Sequence, residues 1–378
     1  MRVGLITIHG INNFGSLLQA YATQKTINNL GHDCEIINYK YPNDYHLKRI
    51  KAHNPYAVGK LSVIQRVRAH FYSRYVSPSV VKKKTELFAR ERSALLKQTD
   101  CYESKEELML NPPCYDIYVT GSDQVWNPRY LYDDTTFLLP FIRGCKKIAF
   151  SASFGSTEID EQHQNMMRPL LSEYQFISTR EESGVRLVRD ICGKQAISTC
   201  DPTLLLSAED WKTVYNDSPL IKGNYILCYV LTYTADPYPY AYKLIKYIKE
   251  QLKMRVIYID ETGKYWCDIR NKSLQTYGPR EIINLFQNAS FIVSSSFHGA
   301  AFSLNFRKDF YSIFPKGIKD ERQESLLRKV GALDRLIRVG DKFPEKGQLH
   351  VNNWDEIGHR LEDYVALSKN YLNTALES

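Results

Sequence analysis

The chain has 378 residues, 43% hydrophobic and 24% charged, a balance that excludes a disordered or fibrous polymer and gives room for two domains of ordinary size. Its eight cysteines are scattered with no Cys-x-x-Cys pair, which excludes a disulfide framework or a clustered zinc site and points to reduced thiols in the cytoplasm. No stretch approaches the roughly 18 to 20 apolar residues of a membrane span. Met1 to Gly10 is apolar for about one strand length and lacks a small-residue cleavage site, so it reads as a buried strand and not a signal peptide.

Val3 to Ile8 is a short β-rich run, and Asn12 to Ser16 is a turn cluster. Leu17 to Leu30 carries apolar residues at helical spacing and stops at Gly31, where a glycine C-cap is expected. Cys34 to Tyr39 reads as the second strand, and this β–α–β opening predicts a parallel sheet covered by helices. The formal charge of +8 belongs to the next stretch, Leu47 to Lys97, which holds thirteen Lys or Arg and two acids, Glu86 and Glu91. Its apolar residues, among them Leu61, Ile64, Phe71, Leu87, Phe88 and Leu95, fall at helical spacing and predict two helices joined near Pro78. Such a segment suits a polyanion. Interleaved apolar residues favour an anionic membrane surface or a lipid pyrophosphate over nucleic acid, and a solvated charged face is the plain alternative.

Three further strands are predicted at Asp116–Thr120, Lys147–Phe150 and Phe176–Thr179. They end in the turns Gly121-Ser122-Asp123 and Ser151 to Gly155 and at Arg180, the end of a strand where open α/β sheets bind ligands. Asp201-Pro202 marks a domain junction. A second series follows, with strands at 225–231, 255–259 (ending in Asp260-Glu261), 291–294 and 310–313, and helices at 240–252, 280–287 and from Gly299 to Leu304. A C-terminal helix, Trp354 to Leu372, offers Ile357, Leu361, Tyr364, Val365 and Leu367 as a packing face. The expected division is 1–200 with a basic helical insertion at 47–97, then 201–345, then a C-terminal helix in 346–378.

Four places could carry chemistry. In Ser294 to Gly299, a strand-to-helix junction puts backbone N–H groups and hydroxyls beside His298, which can act as acid or base near neutral pH. Equally, the serines could cap the helix while His298 bonds a loop carbonyl. Arg180 suits a carboxylate or phosphate, or a surface ion pair with Glu181 or Glu182. Asn12 to Ser16 could cradle a phosphate on its amides, or serve as an asparagine helix cap; it is neither a G-x-G-x-x-G nor a Walker loop. In Gly121 to Asn127, Asp123 could be an acid or base and Trp126 could stack on a sugar; the alternative is an N-cap at Ser122 or Asp123 with a buried Trp.

In order along the chain, Asn13-Phe14-Gly15-Ser16-Leu17-Leu18-Gln19-Ala20-Tyr21-Ala22, Asp116 to Asn127, Ser151-Ala152-Ser153-Phe154-Gly155, Ser178 to Gly184, Asp201-Pro202-Thr203-Leu204-Leu205-Leu206 and Ser294 to Gly299 resemble the polysaccharide pyruvyl transferase family. The resemblance implies two Rossmann-like domains facing across a GT-B-like cleft. It implies phosphoenolpyruvate as donor with no further cofactor or metal, and a sugar hydroxyl pair of a surface polysaccharide as acceptor. The products would be a pyruvate ketal and phosphate. It implies that Arg180 and His298 bind the donor. The chemistry of ketal formation needs an acid and a base, and the expectation is that His298 serves one of these roles, with Asp123 a candidate for orienting or deprotonating the acceptor. The same motifs place Asn13, Gly15, Ser16, Trp126, Ser153, Ser296 and Phe297 beside the substrates. Many members carry arginine where this chain has Ser296, so a donor cation is expected from the 47–97 segment or from Arg322. With the basic segment, the resemblance suggests a cytoplasmic enzyme, peripheral at the inner membrane face, acting on a lipid-linked glycan and not on nucleic acid. Two other readings are a GT-B glycosyltransferase holding a nucleotide sugar near Asp260-Glu261, and a non-catalytic glycan- or lipid-binding protein.

Overall fold

The computed structural model describes residues 1–40, 77–131, 134–215, 218–231, 237, 239–259, 272–274 and 276–378. Their strands form two six-stranded sheets in which every pairing is parallel. The first contains β1 (Arg2–Ile6), β2 (Asp33–Ile36), β3 (Ile117–Thr120), β4 (Lys146–Ala152), β5 (Phe176–Thr179) and β6 (Ile197–Ser198), in the order β2-β1-β3-β4-β5-β6. The second contains β7 (Tyr225–Tyr229), β8 (Arg255–Ile259), β9 (Lys272–Leu274), β10 (Phe291–Ser294), β11 (Asp309–Phe314) and β12 (Leu336–Arg338), in the order β12-β11-β10-β7-β8-β9. The strands are nearly continuous apolar runs because helices cover both faces.

In each sheet the chain works outward from its first strand and then turns back, between β1 and β3 in one and between β7 and β10 in the other. The carboxyl ends of strands at such a switch point splay apart and leave a ligand crevice. Those ends carry the loop before Phe14, the Asp123 turn and the Ser295–His298 turn. The topology therefore decides where the site lies before any side chain is considered.

Helix α1 (Phe14–Asn29) starts inside the expected turn cluster, because Asn13 is its N-cap. The chain continues through α2 (Ser77–Leu95), α3 (Lys105–Leu110), α4 (Pro128–Leu131), α5 (Glu161–Leu171), α6 (Glu182–Cys192), α7 (Ala208–Lys212), α8 (Tyr240–Leu252), α9 (Pro279–Asn288), α10 (Phe297–Asn305), α11 (Arg322–Lys329) and α12 (Trp354–Glu377). The second basic helix is thus α2, with Pro78 in its first turn. The expected first helix and Asp260-Glu261 lie outside the described residues.

The two halves touch directly. Phe14 sits in an aromatic cluster of the second half, 5.0 Å from Tyr229, 5.9 Å from Phe286 and 6.2 Å from Phe302 between ring centres. Around it a single apolar core runs from β1 to the far helices. Helix α2 spans both halves as well. Arg92 donates to the carbonyls of His9 (3.1 Å) and Gly10 (2.9 Å), while Glu91 accepts from the Arg280 N–H (3.0 Å) at the start of α9. Helix α12 returns to the first half, where Ser368 Oγ accepts from Cys200 N–H (2.8 Å) and Tyr371 donates to the Ala149 carbonyl (3.2 Å). Its buried face is Ile357, Tyr364, Ser368, Leu372, Ala375 and Leu376; the expected contact Leu367 is 46% exposed.

Candidate active site

Arg180 follows β5 directly, so a short buried strand delivers its guanidinium to the switch-point face. The side chain is 1% exposed. Nε donates to Glu181 Oε1 at 3.0 Å, Nη1 donates to Asp201 Oδ2 at 2.8 Å, and Nη2 stands 3.7 Å from Asp123 Oδ1. The guanidinium carbon lies 4.2 Å from the centre of the Phe297 ring, which reaches over from the second half. Glu181 does pair with Arg180, but inside the protein and not at the surface.

His298 occupies the first turn of α10, two residues after the N-cap Ser296. Its Nε2 faces Asp201 Oδ2 at 3.5 Å, and the ring lies flat enough on Gly15 that a Cβ there would fall 2.1 Å from Nδ1. Gly15 is required by this close approach. Asp201 itself is rigidly held, since Oδ1 accepts from the Thr203 N–H at 3.0 Å and from its hydroxyl at 2.7 Å. One carboxylate oxygen thus faces an arginine from the first half and a histidine from the second.

Burial and charge oppose each other throughout this cluster. Burial pushes the Asp201 carboxyl up, but His298 and Arg180 together hold it well below the usual carboxylate range. Burial works against the charge of Arg180, yet Glu181, Asp201 and Asp123 raise its pKa above the ordinary value. For Glu181 burial prevails over the attraction of Arg180, and its carboxyl is pushed up. Two buried nitrogens lack an aligned hydrogen-bond acceptor, Arg180 Nη2 and His298 Nε2. Buried donors of this kind are costly unless a ligand or water completes them.

Asp123 is brought into the same cluster. It has a left-handed backbone (φ 66°) and accepts from the Ser16 hydroxyl at 2.6 Å, so it is not the helix cap considered from the sequence. Arg322, at the start of α11, is gripped by Asp320 through Nε (3.0 Å) and Nη2 (2.7 Å), and its charge reaches both Arg180 and Glu181.

Other sequence expectations change. Asn13 Oδ1 accepts from the N–H groups of Gly15 (2.9 Å) and Ser16 (3.3 Å), so these amides cap α1 and do not cradle a phosphate. Gly15 acts through His298, and Ser16 through Asp123. Trp126 is fully buried, 5.3 Å from Phe154 and 5.9 Å from Tyr174 between ring centres, with no face left for a sugar. Ser153 is buried; its hydroxyl accepts from the Gly155 N–H at 3.0 Å and bonds Glu181, making it a support of the cluster. Ser296 donates its N–H to Ser294 Oγ at 3.0 Å, and Ser295 ties β10 to Leu231 at 2.7 Å. Phe297 meets Arg180 and not solvent.

A family model described as polysaccharide pyruvyl transferase matches residues 13–313, a span that includes every member of this cluster except Arg322 and Asp320. The chain belongs to that family. No curated protein matches it. Among solved structures it is similar to the UDP-GlcNAc 2-epimerase of Methanocaldococcus jannaschii in complex with UDP-GlcNAc and UDP, at 14% identity over 96% of this chain and 93% of that one, TM-score 0.49. It is also similar to the E. coli heptosyltransferase WaaC with ADP, at 11% identity over 96% and 100%, TM-score 0.43.

Sequence reasoning missed Asp201, which it read as a domain boundary, and Phe14, which it placed in a turn. Asp201 had one available signal: it is an acid delivered to a strand end, two residues before a threonine that can lock it.

Proposed function

We propose that this family member transfers the enolpyruvyl group of phosphoenolpyruvate to two hydroxyls of a sugar, forming a pyruvate ketal and releasing phosphate. The supporting observation is that Arg180 and His298, delivered by opposite halves, meet on one buried carboxylate, where Arg180 Nη2 still lacks an aligned acceptor. The donor's carboxylate and phosphate call for N–H donors of this kind, and Arg322 adds a second guanidinium.

The reaction needs a proton on the methylene carbon as a sugar oxygen bonds to C2. In this reading His298 gives that proton, and Asp123 takes the proton of the attacking hydroxyl while Ser16 holds the carboxylate in place. The C2–O–phosphate bond then breaks with its electron pair on phosphate, and the second hydroxyl closes the ring at C2. Of the two hydroxyl protons, one replaces the proton given by His298 and the other leaves with phosphate. Phosphate release with the appearance of a ketal methyl signal by NMR, dependent on both phosphoenolpyruvate and a galactose- or mannose-type acceptor, tests the reading. Stabilisation by a UDP- or GDP-sugar and not by phosphoenolpyruvate would overturn it.

We further propose that the acceptor is presented on an anionic lipid at the cytoplasmic membrane face. Among the described residues no helix is long and apolar enough to cross a membrane. Lys82, Lys83 and Arg90 are exposed on α2, whose inner face touches the β1–α1 loop through Arg92 and through Asn12 Nδ2, which donates to Thr85 Oγ1 at 2.7 Å. A polyanion on that helix would lie beside the site. Binding to phosphatidylglycerol vesicles that weakens with salt supports this; no binding at low salt overturns it.

A further inference from the structure

We propose that Asp201 is the positioning residue of this site, the group that holds the proton donor of one half in register with the anion clamp of the other. The inference rests on the pyruvyl-transfer reading for its kinetic part. Its structural part stands on geometry alone.

Asp201 is fully buried in the connection between β6 and β7. Its two oxygens have separate duties. Oδ1 is fixed by the N–H and hydroxyl of Thr203, its own near neighbour in the chain, so the carboxylate cannot rotate. Oδ2 is thereby aimed at Arg180 Nη1 and His298 Nε2. Among the described residues, the remaining charged groups around the pair are Glu181 and Asp123 on the Arg180 side, with Arg322, itself held by Asp320, further out. None of these except Asp201 is an ion-pair partner of His298. A carboxylate in that position fixes which way the ring faces, the role of an orienting acid behind a proton-transferring histidine. It also makes the alignment of the two halves part of catalysis, because His298 finds its partner only when α10 is docked on the first sheet.

The test uses Asp201→Asn and the milder Thr203→Val, which loosens the carboxylate without removing its charge. Histidine side-chain NMR of the unliganded protein reads His298 directly. In Asp201→Asn its ring signals move and broaden relative to wild type, and in Thr203→Val they broaden or split, with no loss of the folded spectrum in either. In turnover, Asp201→Asn lowers kcat at least tenfold, and Thr203→Val lowers it by less. His298 ring signals identical in wild type and Asp201→Asn would overturn the proposal, as would an unchanged kcat. If Asp201→Asn does not fold, a Thr203→Val variant with wild-type His298 signals and kcat overturns it. Absence of turnover with phosphoenolpyruvate in the wild type would instead remove the donor reading and leave the NMR result standing.

Discussion

The imidazole of His298 packs directly against Gly15, so that the first turn of α1 in one half forms the floor under a buried histidine of the other. A methyl group at Gly15 would stand 2.1 Å from Nδ1 and 2.4 Å from Cγ, far inside van der Waals contact. The ring cannot simply retreat, because Asp201 and Phe297 flank it. Gly15→Ala should therefore cost about 1 to 3 kcal/mol of stability by overpacking and lower kcat at least a hundredfold by displacing His298. Denaturant unfolding and steady-state turnover check the two effects. A variant with wild-type activity would show that His298 does not work from this position.

Arg180 invites a simpler prediction than the structure allows. A donor-binding arginine replaced by alanine should raise the donor KM and leave the fold intact. Here the same guanidinium compensates Glu181, Asp201 and Asp123 in a buried cluster, and removing one partner of such a set costs about 3 to 5 kcal/mol. Arg180→Ala should thus unfold at markedly lower denaturant concentration. Arg180→Lys keeps the charge but cannot serve three carboxylates with one fork; it should stay folded and raise the donor KM at least tenfold. Equal stability of Arg180→Ala and wild type would contradict this account.

Ser16 offers a way to separate acceptor from donor chemistry. Its hydroxyl donates to Asp123 Oδ2 and makes no hydrogen bond to Arg180 or His298. Ser16→Ala should lower kcat about tenfold, a loss near 1.4 kcal/mol, while the KM for phosphoenolpyruvate changes less than twofold. A raised donor KM with unchanged kcat would move Asp123 from the acceptor side to the donor side.

Much of the fold was legible because buried parallel strands are short apolar runs ending in polar turns. Phe176–Thr179, Arg255–Ile259 and Phe291–Ser294, with the helix Tyr240–Leu252, are found where the sequence places them. Arg180, His298 and Asp123 were also legible, since each follows such a strand and the structure brings them together. What could not be read is the wiring between segments distant in the chain. That Asp201 links Arg180 to His298, or that Phe14 packs on Tyr229, depends on how two sheets dock, and no local period records it. Side-chain direction was equally hidden: Trp126 stands in a polar turn but points into the core between Phe154 and Tyr174. The start of α10 was placed late because Phe297 and His298 read as the tail of the serine turn, although both are helical.

Glu91 predicts a pH-dependent junction between the halves. Its carboxyl is 4% exposed, packed on Gly278 and bonded to the Arg280 N–H, with Glu281 capping the same helix start from the other side. Burial, reinforced by the charge of Glu281 and opposed by Arg280, pushes it up to about 7 from an ordinary 4.5. In that window the folded chain keeps a proton that the unfolded chain has released, so stability falls as pH rises from about 4.5 and levels off above 7. The full effect is about 1 to 3 kcal/mol. Glu91→Gln still accepts from Arg280 but cannot ionise, so its melting temperature should fall less than that of wild type between pH 5 and 7.5, the difference being a few degrees. Parallel melting curves for the two proteins across that range would show that Glu91 is already neutralised or solvated, and the α2–α9 contact would then carry no pH dependence.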